Sequence, residues 1–161
     1  MHRVGTDISR LFCYGLNLSF AAAYAPPQPL TTYAHRIYPM KATPRILFVE
    51  DHEDTRRILT VLLRGQGYDL KTAPSFDEGP RMAQGEDFDL FLLDYQLAGG
   101  TGRELCRRIR EFDPHTPILF FSGSHPKVQE EALSCGAQGF VLKPDVDALR
   151  EEIRKNLNPA A

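Results

Sequence analysis

Five side chains with chemical potential follow short apolar runs. Glu50 and Asp51 come after Ile46-Leu47-Phe48-Val49, and Asp94 after Leu90-Phe91-Leu92-Leu93. Ser122 comes after Ile118-Leu119-Phe120-Phe121, and Lys143 after Phe140-Val141-Leu142. Brought together, three carboxylates repel and raise one another's pKa. A divalent cation removes that conflict. Carboxylate oxygens, a backbone carbonyl and water are the hard ligands that Mg²⁺ prefers. Lys143 offers a second positive centre, and the Ser122 hydroxyl can donate to an incoming anion. A carboxylate beside a metal, an ammonium and a hydroxyl is equipped to attack phosphorus, while the cations neutralise charge on the phosphoryl oxygens. The product is an aspartyl phosphate on Asp94. One acid after a strand is ordinarily a loop or capping residue; a complementary set at four of five strand ends is what carries information.

The elements that must position this set are regular from Pro44 onward. Continuous apolar runs suit strands buried on both faces, and strand starts are expected near 46, 68, 90, 118 and 139. The first helix is expected after Asp54 as its cap, with Ile58, Leu59, Leu62 and Leu63 inward and a stop at Gly65. Ser75 and Glu78 have capping-box spacing for a second helix. Arg103 to Phe112 has Leu105, Ile109 and Phe112 on one stripe. A fourth helix is expected from about Pro126 to Ser134, and a fifth over Asp145 to Asn156 with Val146, Leu149, Ile153 and Leu157 inward. Strand–helix units of this spacing predict an α/β fold, a parallel sheet with helices on both faces. Ligands of such sheets bind beyond the carboxyl ends of the strands, where the five residues above stand.

The chain has 161 residues and a formal charge of -2, one domain's worth with a surplus. Near-neutrality favours neither nucleic acid nor acidic lipid as a partner, and no apolar run approaches the ~20 residues of a membrane span. Of 19 Lys+Arg and 21 Asp+Glu, only Arg3, Arg10, Arg36 and Asp7 lie in residues 1–39, so the remainder has 16 basic against 20 acidic side chains. Leu11 to Ala25 is mostly apolar and ends in Ala23-Tyr24-Ala25, like a secretory signal. Asp7, Gly15, Asn17 and Ser19 count against that. Residues 1–39, with four prolines, are read as a disordered extension translated from an upstream start, and Met40 suits the start of the domain at 40–161. Cys13, Cys106 and Cys135 form no CxxC pair, which argues against a zinc site or disulfide framework and for a reducing compartment; Cys106 and Cys135 are read as packing residues.

The four motifs Ile46–Asp51, Asp89–Leu97, Ile118–Gly123 and Gly139–Pro144 occur in order over about residues 44–157. Together they resemble the receiver domain of response regulators in two-component phosphorelays. The resemblance implies a five-stranded, flavodoxin-like doubly wound sheet of order 2-1-3-4-5. It implies Asp94 as phosphoacceptor, with Asp51, Asp94, Glu50 and the backbone carbonyl of Gln96 around Mg²⁺. Lys143 would contact the phosphoryl group, Ser122 would move toward it, and Phe140 would be the aromatic switch. Pro144 implies a cis Lys-Pro bond. The implied donor is a histidine kinase or histidine phosphotransfer protein in the cytoplasm. Phosphorylation then biases a surface at the fourth strand, fourth helix, fifth strand and fifth helix, which meets a downstream protein, or a second copy through the fourth helix, fifth strand and fifth helix. Such a chain catalyses its own modification without being a turnover enzyme. With four residues after Leu157, output by protein–protein contact is expected. The chain departs from the pattern at Ala98, where proline is usual, and at Phe140, where tyrosine is commoner. Gln96 and Ser124 occupy positions that tune dephosphorylation, and Gly123 should leave the acyl phosphate accessible.

Two other readings remain open at this point. One is a binding module of the same fold that does not use phosphorylation. The other is a phosphatase with an aspartyl intermediate, although Gln96 stands where such chemistry usually wants a second aspartate. There is no Gly-Lys dipeptide for a Walker loop, no GxSxG and no HExxH. Arg103, Arg107, Arg108 and Arg110 read as a solvated helix face. His52 reads as a helix-entry residue.

Overall fold

The structure, a computed structural model, describes residues 43–123 and 127–158. The expectations for residues 1–39, Met40, Ser124 and Pro126 lie outside those residues. In chain order the elements are β1 (Arg45–Val49), α1 (Glu53–Arg64), β2 (Asp69–Ala73), α2 (Glu78–Gly85), β3 (Leu90–Leu93), β4 (Gln96–Leu97), β5 (Gly100–Thr101), α3 (Gly102–Arg110), β6 (Ile118–Ser122), α4 (Lys127–Leu133), β7 (Gly139–Leu142) and α5 (Val146–Leu157). The main sheet is parallel, in the order β2-β1-β3-β6-β7. With the small antiparallel β4–β5 ribbon set aside, this is the expected 2-1-3-4-5 order of the flavodoxin-like fold.

The two faces of the sheet carry separate cores, because alternate strand residues point to opposite sides. Ile46, Phe48, Leu90, Leu92, Leu119 and Phe121 pack with Leu59 and Leu63 of α1 and Leu149 and Ile153 of α5. Leu47, Val49, Phe91, Leu93, Ile118 and Phe120 pack with Leu105, Cys106 and Ile109 of α3 and with Phe76 and Ala132. The helices on both faces explain the unbroken apolar runs of the central strands.

Several local expectations change. The N-cap of α1 is His52, not Asp54, which lies inside the first turn. Leu59 and Leu63 are buried, but Ile58 and Val61 are 61% and 74% exposed, and Leu62 is also exposed. A helix on the flank of a sheet buries one stripe, and Ile58 and Leu62 sit about 100° round from it. Phe112 falls beyond the end of α3 and is exposed. The Ser75 hydroxyl does accept from the Glu78 N–H at 3.3 Å. A complete capping box appears instead at α3, between Thr101 and Glu104. Asp145 caps α5 by accepting from the Ala148 N–H at 2.9 Å.

The cysteine reading also changes: Cys106 and Cys135 are joined as a disulfide, with Cα atoms 6.2 Å apart. They are 29 residues apart in sequence, and only the packing of α3 beside the turn after α4 brings them together. Among the described residues no helix is long and apolar enough to cross a membrane.

Candidate functional site

Strand register delivers the site residues. Val49 of β1 pairs with Leu93 of β3, so the next residues, Glu50 and Asp94, leave the sheet side by side. The Asp94 N–H donates to the Val49 carbonyl at 2.9 Å and the Glu50 N–H to the Ala73 carbonyl at 3.1 Å, which fixes both backbones. Ser122 of β6 pairs with Leu142 of β7, and the Lys143 N–H donates to the Ser122 carbonyl at 3.0 Å. The Lys143–Pro144 bond is cis.

Lys143 reaches across two strands. Its Nζ donates to Glu50 Oε2 at 2.5 Å and to Asp94 Oδ2 at 2.9 Å. The side chains of Glu50, Asp94 and Lys143 are 0%, 8% and 21% exposed. A carboxylate buried this deeply is costly unless it is paired and hydrogen-bonded. The other oxygens are accordingly occupied. Asp94 Oδ1 accepts from the Tyr95 N–H at 2.6 Å, and Glu50 Oε1 from the His52 N–H at 3.2 Å.

Asp51 stands at the mouth of the site. Its Oδ2 accepts from the Ala98 N–H at 3.1 Å, and its Oδ1 lies 3.1 Å from His52 Nδ1. The departure at Ala98 thus has a structural consequence: a proline there has no N–H to give. Ligand atoms of Glu50, Asp51 and His52 lie within 4.8 Å of one another. Asp94 stays outside that group and is linked to Glu50 through Lys143. Gln96 is exposed on β4, with its N–H 3.5 Å from Asp94 Oδ1. Three carboxylates against one ammonium leave an excess of negative charge on hard oxygen donors, a set that fits a divalent cation. Arg56, whose guanidinium donates to the Glu50 carbonyl at 2.7 Å, offsets only part of it.

Ser122 is buried at the end of β6. Phe140 is half-buried against the core, its ring 6.2 Å from that of Phe120. Beyond Gly123 there is open space where a side chain would begin, in keeping with an accessible acceptor.

Sequence reasoning missed three contributors. His52 reads from its position only as a helix-entry residue, yet its Nδ1 lies 3.4 Å from Glu50 Oε1 and 3.1 Å from Asp51 Oδ1. Tyr95 joins the acceptor to α4: its ring packs 6.1 Å from Phe120 and its hydroxyl donates to Glu131 at 3.1 Å. Burial, and then the Glu131 carboxylate, hold its phenol above the usual tyrosine pKa. Gly102 lets α3 start against the acceptor backbone, since a Cβ there would lie 2.2 Å from the Asp94 carbonyl oxygen. The only available signal was position, next to Asp94 or at the start of α3. The arginines of α3 are less free than a solvated face implies. Arg103 lies 3.7 Å from Glu131, Arg108 lies over the Phe76 ring, and Arg110 donates to the carbonyls of Asp113, Thr116 and Gly136.

Comparison with known proteins bears on the family and the fold. The family model described as response regulator receiver domain matches residues 46–154. The transcriptional regulatory protein AfsQ1 of Streptomyces coelicolor is 34% identical over 102 residues, which are 63% of this chain and 45% of the relative. The transcriptional regulatory protein ZraR of Salmonella typhimurium is 35% identical over 114 residues, 70% of this chain and 26% of the relative. The chain therefore spans less than half the length of these relatives. Among solved structures, the response regulator TrrA of Thermotoga maritima in complex with Mg²⁺-BeF superposes with a TM-score of 0.67 at 27% identity, covering 71% of this chain and 99% of TrrA. A structure of the histidine kinase ThkA in complex with TrrA matches with a TM-score of 0.65 at 28% identity, covering 71% of this chain and 98% of the matched chain.

Proposed function

The chain belongs to the response regulator receiver domain family, and from that premise we propose that it accepts a phosphoryl group on Asp94 from a phosphohistidine of a histidine kinase or phosphotransfer protein. The observation that carries this reading is the Lys143 ammonium shared between buried Glu50 and Asp94. A carboxylate oxygen of Asp94 attacks phosphorus, the P–N bond breaks, and its electron pair returns to the imidazole, which takes a proton from water. Lys143 stays with the phosphoryl oxygens as charge shifts onto them. Asp51, Glu50 and Asp94, with the Gln96 carbonyl, are the residues that would hold Mg²⁺. When bound, the ion supplies positive charge to the crowded carboxylates and to the transferring group. The chain catalyses its own modification and is not a turnover enzyme.

The exposed apolar side chains Ile58, Val61 and Leu62 on α1, close to the acid cluster in the chain, give a kinase or phosphotransfer helix a surface to dock on. Output passes through the face of α4, β7 and α5, where Leu133 and Leu142 are exposed and an open groove is lined by Gln129, Phe140, Leu142 and Ala148. A downstream protein or a second copy is the partner there. Because phosphohistidine donors depend on ATP, the reading places the chain in the cytoplasm. The relatives called transcriptional regulators extend well beyond the matched segment, so the expectation of no nucleic-acid partner applies to this segment alone.

The test is incubation with acetyl phosphate and Mg²⁺, read by intact mass. A labile gain of one phosphoryl group, absent in Asp94→Asn and in EDTA, is expected. No adduct with any phosphodonor would favour the phosphorylation-independent binding module, and steady phosphate release from many monoesters the phosphatase.

A further inference from the structure

The phosphoryl chemistry makes no use of Cys106 and Cys135. Cys106 faces inward from α3 and is fully buried, while Cys135 sits at the rim, in the turn after α4, 9% exposed. Their Cα separation of 6.2 Å lies within the range that a disulfide accepts without moving the backbone. Each sulfur also lies beside a carbonyl that a thiol can donate to on reduction. Cys106 Sγ lies 3.3 Å from the Cys135 carbonyl, and Cys135 Sγ 2.8 Å from the Ala132 carbonyl. Each thiol therefore has an acceptor, and neither redox state leaves a buried donor unpaired. The turn that carries Cys135 is also held by a permanent cation, since the Arg110 guanidinium donates to the Gly136 carbonyl at 3.1 and 3.3 Å.

We propose that Cys106 and Cys135 are a reversible redox pair that clamps α4 to α3. The oxidant class is a peroxide. The Cys135 thiolate attacks one peroxide oxygen, the O–O bond breaks, and a proton converts the departing oxygen to water, leaving a sulfenic acid on Cys135. The Cys106 thiol then displaces that hydroxyl, forming the S–S bond and releasing a second water. A dithiol reductant reverses the reaction by exchange.

The remaining ties described between α3 and α4 are non-covalent: Arg103 to Glu131 at 3.7 Å, Arg110 to the Gly136 carbonyl, and Ala132 packed in the core with Leu105 and Ile109. A covalent link at the far end of α4 therefore changes how freely that helix moves. Insofar as α4 belongs to the output face, which rests on the function proposed above, oxidation damps the response to phosphorylation.

The full chain is treated with hydrogen peroxide, free thiols are alkylated, and the protein is digested without reductant. The expected product is one cross-linked peptide pair containing Cys106 and Cys135, with Cys13 alkylated. Dithiothreitol should abolish the pair, and Cys135→Ala should prevent it. Hydrogen exchange over residues 127–137 should be slower in the oxidised chain by about threefold or more, with no peroxide effect in Cys135→Ala. Alkylation of both thiols after peroxide, cross-linking to Cys13, or a cross-link that leaves exchange unchanged would overturn the proposal. Neither readout requires phosphorylation, so failure of Asp94 to accept a phosphoryl group registers as a separate result.

Discussion

The two ends of the sheet each set cations among several acids, yet they differ in kind. At the amino ends, Arg45 of β1 is paired with Glu86 and lies 3.5 Å from Asp69; it also donates to the Asp87 carbonyl. Those side chains are a third or more exposed. At the carboxyl ends, Lys143 pairs with two carboxylates that are almost wholly buried. Exposed pairs gain little because water already solvates both charges. Buried ones depend on each other, because removing the cation strands the acids. Similar charge types therefore make a surface tether at one end and a buried, mutually dependent cluster at the other, and burial sets the difference.

The largest expected effect from breaking this contrast comes from Lys143→Ala. It should destabilise the fold by about 3 kcal/mol in chemical denaturation and slow phosphorylation by acetyl phosphate by about a hundredfold. A variant as stable and as fast as wild type would mean that the buried end behaves like the exposed one. Gly102→Ala comes next. Its methyl group meets the Asp94 carbonyl and the Phe120 ring, so a loss of about 2 kcal/mol should register as a lower thermal midpoint, together with slower phosphorylation.

Ala98→Pro should act in the opposite direction. It removes the N–H that holds Asp51 Oδ2, a bond worth about 1 kcal/mol. The Mg²⁺ concentration for half-maximal phosphorylation should then fall by about fivefold; an unchanged or higher requirement would remove Ala98 from the account.

Asp113, beside Arg110 at the amino-end side of β6, is an intermediate case. Burial pushes its carboxyl up, but the Thr116 and His115 N–H groups and the Arg110 charge outweigh this and hold it below the usual range. A depressed folded pKa stabilises above the unfolded value, and that stability is lost as pH falls through the folded one. The thermal-midpoint gap between wild type and Asp113→Asn should therefore shrink on acidification from neutral pH to below the carboxylate range. The smallest effect is assigned to Arg45→Ala, which should leave the phosphorylation rate unchanged.

The layout of the sheet and the identities of Glu50, Asp94, Ser122 and Lys143 were legible in the sequence, because unbroken apolar runs mark buried parallel strands and the site residues follow them directly. Side-chain reach was not legible. Nothing in the spacing says that Tyr95 extends to Glu131 on α4, that His52 lies back on two acids, or that Ala98 donates to Asp51. Those contacts depend on how loops fold over the sheet edge. Periodicity also left open which stripe of α1 is covered, since Ile58 and Leu59 belong to overlapping apolar faces. The Cys106–Cys135 pair escaped for the same reason, because it depends on how α3 packs beside the turn after α4.

The central claim, that the buried end of the sheet makes Asp94 the acceptor, is tested most directly by locating the phosphoryl group. The chain is phosphorylated with acetyl phosphate and Mg²⁺, reduced with borohydride, which converts an acyl phosphate to the alcohol, and sequenced by peptide mass spectrometry. Homoserine at position 94 alone is the predicted result. Homoserine at 51, its one-carbon-longer homologue 5-hydroxynorvaline at 50, or no reduced acid in a chain that has taken up the phosphoryl group, would contradict it.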